Sequence, residues 1–296
     1  MLLTLDIILI GLVVLFIVFP LFYSYGNIYR SRSPIQGTPQ KDGLRFDSVS
    51  FATSDGNIIR GWFLFGKPGS PLILVCHGIG TNREDLRDVS QSLCKSGFNV
   101  LAFDFLAHGE SGGRKTTFGF TEARDIQAAF RYANEKLHES FQGVGIYAIS
   151  MGSAATLFAS ENLPEVSAFV FDSPFARLSE VVDFQFHNLP WPLDRMFSGL
   201  AKFYGSILMV IPAAKISPED YVCHLNDRPV LVFHGDQDAM IPMSQGQKLF
   251  QKIPGPKEFV WTPGAAHVQS RFLLGKAYDE RVVEFFKRNL ANEIQH

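Results

Sequence analysis

A serine, two carboxylates and a histidine stand along this chain in settings that suit acyl transfer. The pentad Ala148-Ile149-Ser150-Met151-Gly152 follows directly on the apolar run Val144-Gly145-Ile146-Tyr147. A small-x-Ser-x-Gly pentad leaving a short strand puts its serine on a sharp strand-to-helix turn, where a base and a substrate carbonyl can both reach the hydroxyl. Small residues at the first and last positions let strand and helix approach without a side-chain clash. A serine hydroxyl is a poor nucleophile at neutral pH, so it needs an imidazole to take its proton and an acid to hold that imidazole in the right tautomer. Two downstream segments offer these. In His234-Gly235-Asp236-Gln237-Asp238-Ala239-Met240-Ile241-Pro242 a strand ends in a turn bearing two carboxylates, and in Pro263-Gly264-Ala265-Ala266-His267 a histidine follows the last strand. The order is then Ser150, Asp238, His267. Asp236 and Asp172, which ends the strand after the pentad, are rival acids. Without chemistry, Ser150 reads as a helix N-cap and His267 as a loop residue bonded to backbone.

The developing oxyanion needs N–H donors. The N–H of Met151, the residue after the nucleophile, is one candidate. The second should come from the loop His77-Gly78-Ile79-Gly80, whose glycines allow close backbone approach, and Ile79 is the residue indicated. His77 and His234 read as structural residues at strand ends, and His108 and Ser111 as braces for the loop beside this site.

To hold these residues the chain must alternate strands and helices. Leu44 to Phe51 and Ile58 to Phe65 flank the hairpin signal Ser54-Asp55-Gly56-Asn57. Further strands are expected over Pro71–Cys76, Phe98–Phe105, Val144–Ile149, Val166–Phe171, Val230–His234 and Glu258–Thr262. Helical spacing covers Glu84–Ser96, Thr121–Leu137, Ser153–Ser160, Gln245–Ile253 and Lys276–Asn289. Unbroken apolar strands alternating with helices predict an α/β fold with a mostly parallel sheet covered on both faces. The stretch from about 174 to 218 breaks the pattern with aromatic and Pro-rich patches, and reads as a helical cap inserted over the strand ends.

Net charge is −2 across 296 residues, which gives no reason to expect a nucleic-acid partner. Cys76, Cys94 and Cys223 are too few and scattered for a disulfide framework or a zinc cage. The N-terminus is different in kind: no residue from Ile7 to Tyr29 is charged. A helix crossing a bilayer needs roughly 20 apolar residues, so residues 1–29 read as an uncleaved transmembrane anchor, with Tyr23, Tyr25 and Tyr29 at the headgroup end. The rival is a cleavable signal, with Ser24 and Gly26 near the cut, but no Lys or Arg precedes the run. Residues 30–43 read as a linker and 44–296 as the globular domain. Arg30, Arg32 and Lys41 follow the span, which predicts a single-pass protein with its domain on the cytoplasmic side.

The strand-terminal HGIG, the DFLAHGESG segment from Asp104 to Gly112, the AISMG pentad, HGDQDAMIP and the terminal GAAH together resemble the α/β-hydrolase fold family, over about Phe46 to Asn289. Within it the chain looks most like the membrane-anchored serine hydrolases of the BEM46/ABHD13-like type. The resemblance implies Asp238 as the acid, four residues after the strand-end His, and departs from the common pattern in having Ala148 where Gly is usual. It implies hydrolysis of a carboxylic ester or thioester through an acyl-enzyme, with no metal or organic cofactor. An anchor close to an apolar cap suggests a lipid-like or acylated substrate. A serine peptidase or amidase on the same machinery, or a non-catalytic binding protein on this fold, are the alternatives.

Overall fold

The longest apolar runs become the middle of one sheet, because a strand buried on both faces has no position left for a polar side chain. The computed structural model describes residues 14–136 and 141–290, together with Asp6 and residues 10–12. The other residues of the expected 1–29 anchor, and Leu137 at the expected end of the helix from Thr121, lie outside the described residues.

In chain order the helices and strands are α1 (Phe19–Ile28), β1 (Phe46–Ala52), β2 (Ile58–Leu64), β3 (Leu72–Cys76), α2 (Arg87–Lys95), β4 (Asn99–Phe103), α3 (Ala123–Lys136), β5 (Val144–Ile149) and α4 (Met151–Ala159). There follow β6 (Val166–Asp172), α5 (Leu178–Phe186), α6 (Leu193–Met209), β7 (Val230–Gly235), α7 (Met243–Lys252), β8 (Lys257–Thr262), α8 (Ser270–Leu274) and α9 (Lys276–Leu290). Among the described residues the sheet has eight strands in the order β1-β2-β4-β3-β5-β6-β7-β8. Only β1 with β2 and β2 with β4 pair antiparallel; every later neighbour is parallel.

Alternation along the central strands divides the core into two layers. Leu72, Leu74 and Cys76 of β3 pack on the α3 and α4 side with Ile126 and Ala155. Ile73 and Val75 face the other way, against Leu86, Val89 and Leu93 around α2 and Phe286 of α9. Helix α2 is entered through a capping box: Asn82 accepts from Glu84 N, and Asp85 accepts from Asn82 N. The parallel strands all deliver their outgoing turns to one edge, and HGIG, the Ser150 turn, the Asp238 turn and the His267 loop leave from it.

The inserted stretch holds two helices, α5 and α6, and the first apolar helix does not stand apart from them. Ser24 Oγ lies 3.0 Å from the Ala201 carbonyl oxygen of α6. Phe16 stacks on Phe197, and Tyr23 meets Phe186 edge-on. These rings close a third apolar cluster between the first apolar helix and the cap. Residues 30–43 are likewise no free tether. Arg32 donates to the carbonyls of Gly109, Ser111, Gly112 and Gly113, Gln36 N donates to Glu84, and Asp42 pairs with Arg87 at 2.9 Å. The linker is thus ordered at Arg32, Gln36 and Asp42 by partners downstream in the domain.

The strand-to-helix turn at Ser150 leaves no room for a side chain at Gly152, where a Cβ would come within 2.5 Å of Cys76 O and 2.7 Å of His77 O. Gly152→Ala is therefore expected to destabilise the protein by about 1–3 kcal/mol. Gly199, inside α6, has nothing within 4 Å of a Cβ, so Gly199→Ala should instead stabilise by up to about 1 kcal/mol. Urea unfolding of both variants beside the native protein checks the opposite signs.

Candidate active site

Ser150 is forced into a backbone conformation that residues with a Cβ seldom adopt, φ +49° and ψ −116°. The turn survives because both sides of it are tied to the sheet. Ser150 N donates to Asp172 O at 2.9 Å, and Ser153 Oγ donates back to Ala148 O at 3.1 Å. The result carries the serine hydroxyl over the ends of the strands, beside Gly78, whose Cβ would touch that of Ser150 at 3.4 Å.

From there a chain of hydrogen bonds runs across the sheet edge. His267 Nε2 lies 3.0 Å from Ser150 Oγ, and His267 Nδ1 lies 2.7 Å from Asp238 Oδ2. An ionised carboxylate can only accept, so Nδ1 carries the proton and Nε2 is left with a lone pair facing the hydroxyl. Asp238 is itself held: its Oδ1 accepts from Met240 N at 2.9 Å and from Ile241 N at 2.8 Å. The structure thus brings together Ser150, Asp238 and His267, which lie far apart in the chain.

The two rival acids are occupied elsewhere. Asp236 accepts from Gly264 N at 2.7 Å and so ties down the loop that leads to His267. Asp172 is fully buried and accepts from Tyr278 Oη at 2.8 Å and Ser173 Oγ at 3.0 Å. Tyr147 Oη and Tyr278 Oη are 2.8 Å apart, and Val268 N donates to Ser173 Oγ at 3.1 Å, so this buried network reaches the residue next to His267. Burial pushes the Asp172 carboxyl up to about 6, although both hydroxyl donors pull the other way.

The other histidines near the strand ends serve the scaffold. His77 Nε2 accepts from Phe105 N at 2.9 Å and its Nδ1–H donates to Gly78 O at 2.7 Å, which requires the neutral ring. Burial accordingly holds its pKa well below the usual imidazole range. His234 Nε2–H donates to Ile241 O at 2.9 Å and braces the same turn as Asp238. In the DFLAHGESG segment Ser111 Oγ donates to Asp104 O at 2.6 Å, His108 Nδ1 donates to Leu106 O at 2.9 Å, and buried Asp104 pairs with Arg83. Cys76 and Cys94 are buried free thiols, and Cys223 is exposed. Among the described residues no group of His, Cys, Asp and Glu could hold a metal ion.

Ser150 opens into a cavity of about 130 Å³ that Ile79 and Met151 also line. Met151 is the first residue of α4, so its N–H has no acceptor within the helix. Phe175, Leu178, Val181, Val182, Met209 and Ile241 supply an apolar wall. The opposite wall is Tyr23, Ser24, Asn27, Ile28 and Arg30, from α1 and the residues just after it. Sequence reading missed this wall completely. Its only signal was a serine and an asparagine among apolar residues on one side of a supposed lipid-facing helix.

Residues 71–203 match the model of the family described as the alpha/beta hydrolase fold. The uncharacterized protein YqkD of Bacillus subtilis (strain 168) is 28% identical over 236 residues, covering 78% of this chain and 75% of its own length. The human protein ABHD12B is 25% identical over 192 residues, covering 62% of this chain and 50% of its own. Among solved structures, the Pyrococcus furiosus esterase Pf2001 superposes with a TM-score of 0.74 at 27% identity, covering 90% of this chain and 99% of that one.

Asp172 makes stability pH-dependent with a definite sign. A free Asp titrates near about 4, so between there and about 6 the folded protein keeps a proton that the unfolded chain has lost. Folding then costs more as pH rises through that window. Native protein is expected to lose on the order of 2 kcal/mol between pH 4 and pH 6 relative to Asp172→Asn, which carries no titrating group there. Paired urea titrations across the window measure the difference.

Proposed function

We propose, for a chain with the α/β-hydrolase fold, a membrane-anchored serine hydrolase that cleaves carboxylic esters or thioesters through an acyl-enzyme. The observation that carries this reading is the run of hydrogen bonds from Asp238 through His267 to Ser150 at the mouth of an apolar cavity. His267 Nε2 takes the Ser150 proton as Oγ attacks the acyl carbon, and the N–H groups of Met151 and Ile79 receive the oxyanion. The imidazolium, stabilised by Asp238, protonates the leaving oxygen or sulfur. His267 then deprotonates a water that attacks the acyl-enzyme, and Ser150 recovers its proton. The similarity to an esterase structure supports the ester class.

A lipid-like acyl substrate is favoured by where the cavity lies. The helix at Ile10–Ile28 is long and apolar enough to cross a bilayer, and its second half walls the cavity. Cap helix α6 adds an exposed apolar ridge at Met196, Phe203 and Ile207, spaced to fall on one helical face. Both helices line the cavity of Ser150, and the proposed entry of an acyl chain from the bilayer is along the seam between them. The BEM46/ABHD13-like type, single-pass and with its domain on the cytoplasmic side, remains the proposed placement. A serine peptidase needs a peptide path to Ser150, and the apolar wall favours acyl chains instead.

A fluorophosphonate probe should label the native chain and not Ser150→Ala, with ester turnover falling at least about 10³-fold in that variant. Asp238→Asn should lose about 10⁴-fold in kcat by favouring the wrong His267 tautomer. Folded native protein that neither labels nor turns over any ester would favour a binding protein, and a preference for aminoacyl amides would favour the peptidase.

A further inference from the structure

The cavity that holds Ser150 carries an unbalanced positive charge. Among the described residues two cations line it, Arg30 and Lys202, and no Asp or Glu does. Lys202 Nζ is neutralised by Asp183 at 2.6 Å. Arg30 is not: its Nη2 donates to Asn27 Oδ1 at 2.7 Å, a neutral acceptor, and among the described residues it makes no ion pair. Its Nε is buried with no acceptor among the described residues.

The Arg30 guanidinium lies against the HGIG loop. A Cβ on Gly80 would come within 2.9 Å of Arg30 Nη1 and 3.3 Å of its Cδ, so the stem lies flat on the HGIG turn. Arg30 also follows the end of α1, where a cation is favourable, but that position would be equally well served by a side chain extended into water. Instead it is half-buried, and burial holds its pKa below the usual guanidinium range, the sign of a charge that lacks a counter-ion. Burying such a charge without a partner is costly, and the missing partner is an anion.

We propose that Arg30 binds an anionic group, phosphate or carboxylate, carried by an amphiphilic substrate whose apolar chain occupies the cavity beside Ser150. Planar guanidinium donors match either anion in a bidentate pair, and Nη1 together with the second Nη2 proton remains for it. The apolar wall from α5, α6 and α1 takes the chain, and the charge selects the head. The hydrolysis step rests on the ester-hydrolase reading above; the binding step does not.

The test uses the full chain in detergent micelles, with esters of one acyl chain on glycerol, glycerol phosphate and glycerate. The native protein should favour an anionic ester over the neutral one by about tenfold or more in kcat/KM, and whether glycerol phosphate or glycerate leads identifies the anion. Arg30→Gln should bring that ratio near one, while Arg30→Lys, which keeps the charge without the fork, should retain part of it. A native ratio near one, or equal losses on neutral and anionic esters in Arg30→Gln, overturns the proposal. Calorimetry on Ser150→Ala protein separates it from the hydrolase reading: decyl phosphate or decanoate should bind about tenfold tighter than decanol, and Arg30→Gln should abolish the difference. Selective binding without turnover of any ester would overturn the hydrolase and leave the Arg30 site standing. Turnover without selective binding would overturn the site alone. Inorganic phosphate should displace decyl phosphate only at far higher concentration; equal potency would overturn the amphiphile assignment.

Discussion

The hydrogen bond from His267 Nδ1 to Asp238 Oδ2 sets the chemistry available to everything around it, because it decides which ring nitrogen is basic. Reversing the tautomer would aim an N–H at Ser150 Oγ and leave the hydroxyl without an acceptor for its proton. Much of the surrounding structure keeps this bond in place. Two backbone N–H groups hold the carboxylate, His234 ties down the turn that carries it, and Asp236 and Ser173 secure the loop of His267 from both sides. The parallel register of β5, β6, β7 and β8 brings those turns to one edge.

Around that rigid edge the protein accepts local costs. Ser150 sits at positive φ, and Asp172 is buried where its charged form is disfavoured. Each cost belongs to a residue that positions the site. Ser150 is lifted out of the strand by its strain, and Asp172 links the Tyr147–Tyr278 pair to the backbone beside His267 through Ser173. A buried network with its hydrogen bonds satisfied is stiff, which is what a loop that must hold an imidazole to a fraction of an ångström requires.

Opposite the rigid edge the walls are apolar, and they come from two distant parts of the chain. The cap helices are consecutive in sequence, but the first helix joins them across about 160 residues or more, through Ser24 on Ala201 and Phe16 on Phe197. The same apolar composition that suits a bilayer suits this contact. A helix can therefore present one side to lipid and another to the cap, and the proposed substrate path follows the seam between them.

Much of this was legible in the residues. Apolar runs gave every central strand to within two residues, because burial on both faces dictates their composition, and positions next to them made Ser150, Asp238 and His267 candidates together. The choice among three acids was different. Asp172, Asp236 and Asp238 are one residue type at similar strand ends, and only the paths of the following turns show that one reaches His267 Nδ1 while the others meet Tyr278 and Gly264. The N-terminal stretch shows a related limit. Composition reports what surrounds a segment on average, so an apolar helix and a Pro/Gly stretch read as an anchor and a linker without showing their contacts to the cap and the domain surface. Sequence by itself determined the strands and the reactive residue types, since those follow from local burial and chemistry. Tertiary structure alone decided that the first helix walls the cavity and leaves Arg30 there without an ion pair among the described residues, because both depend on contacts between segments that no local pattern relates.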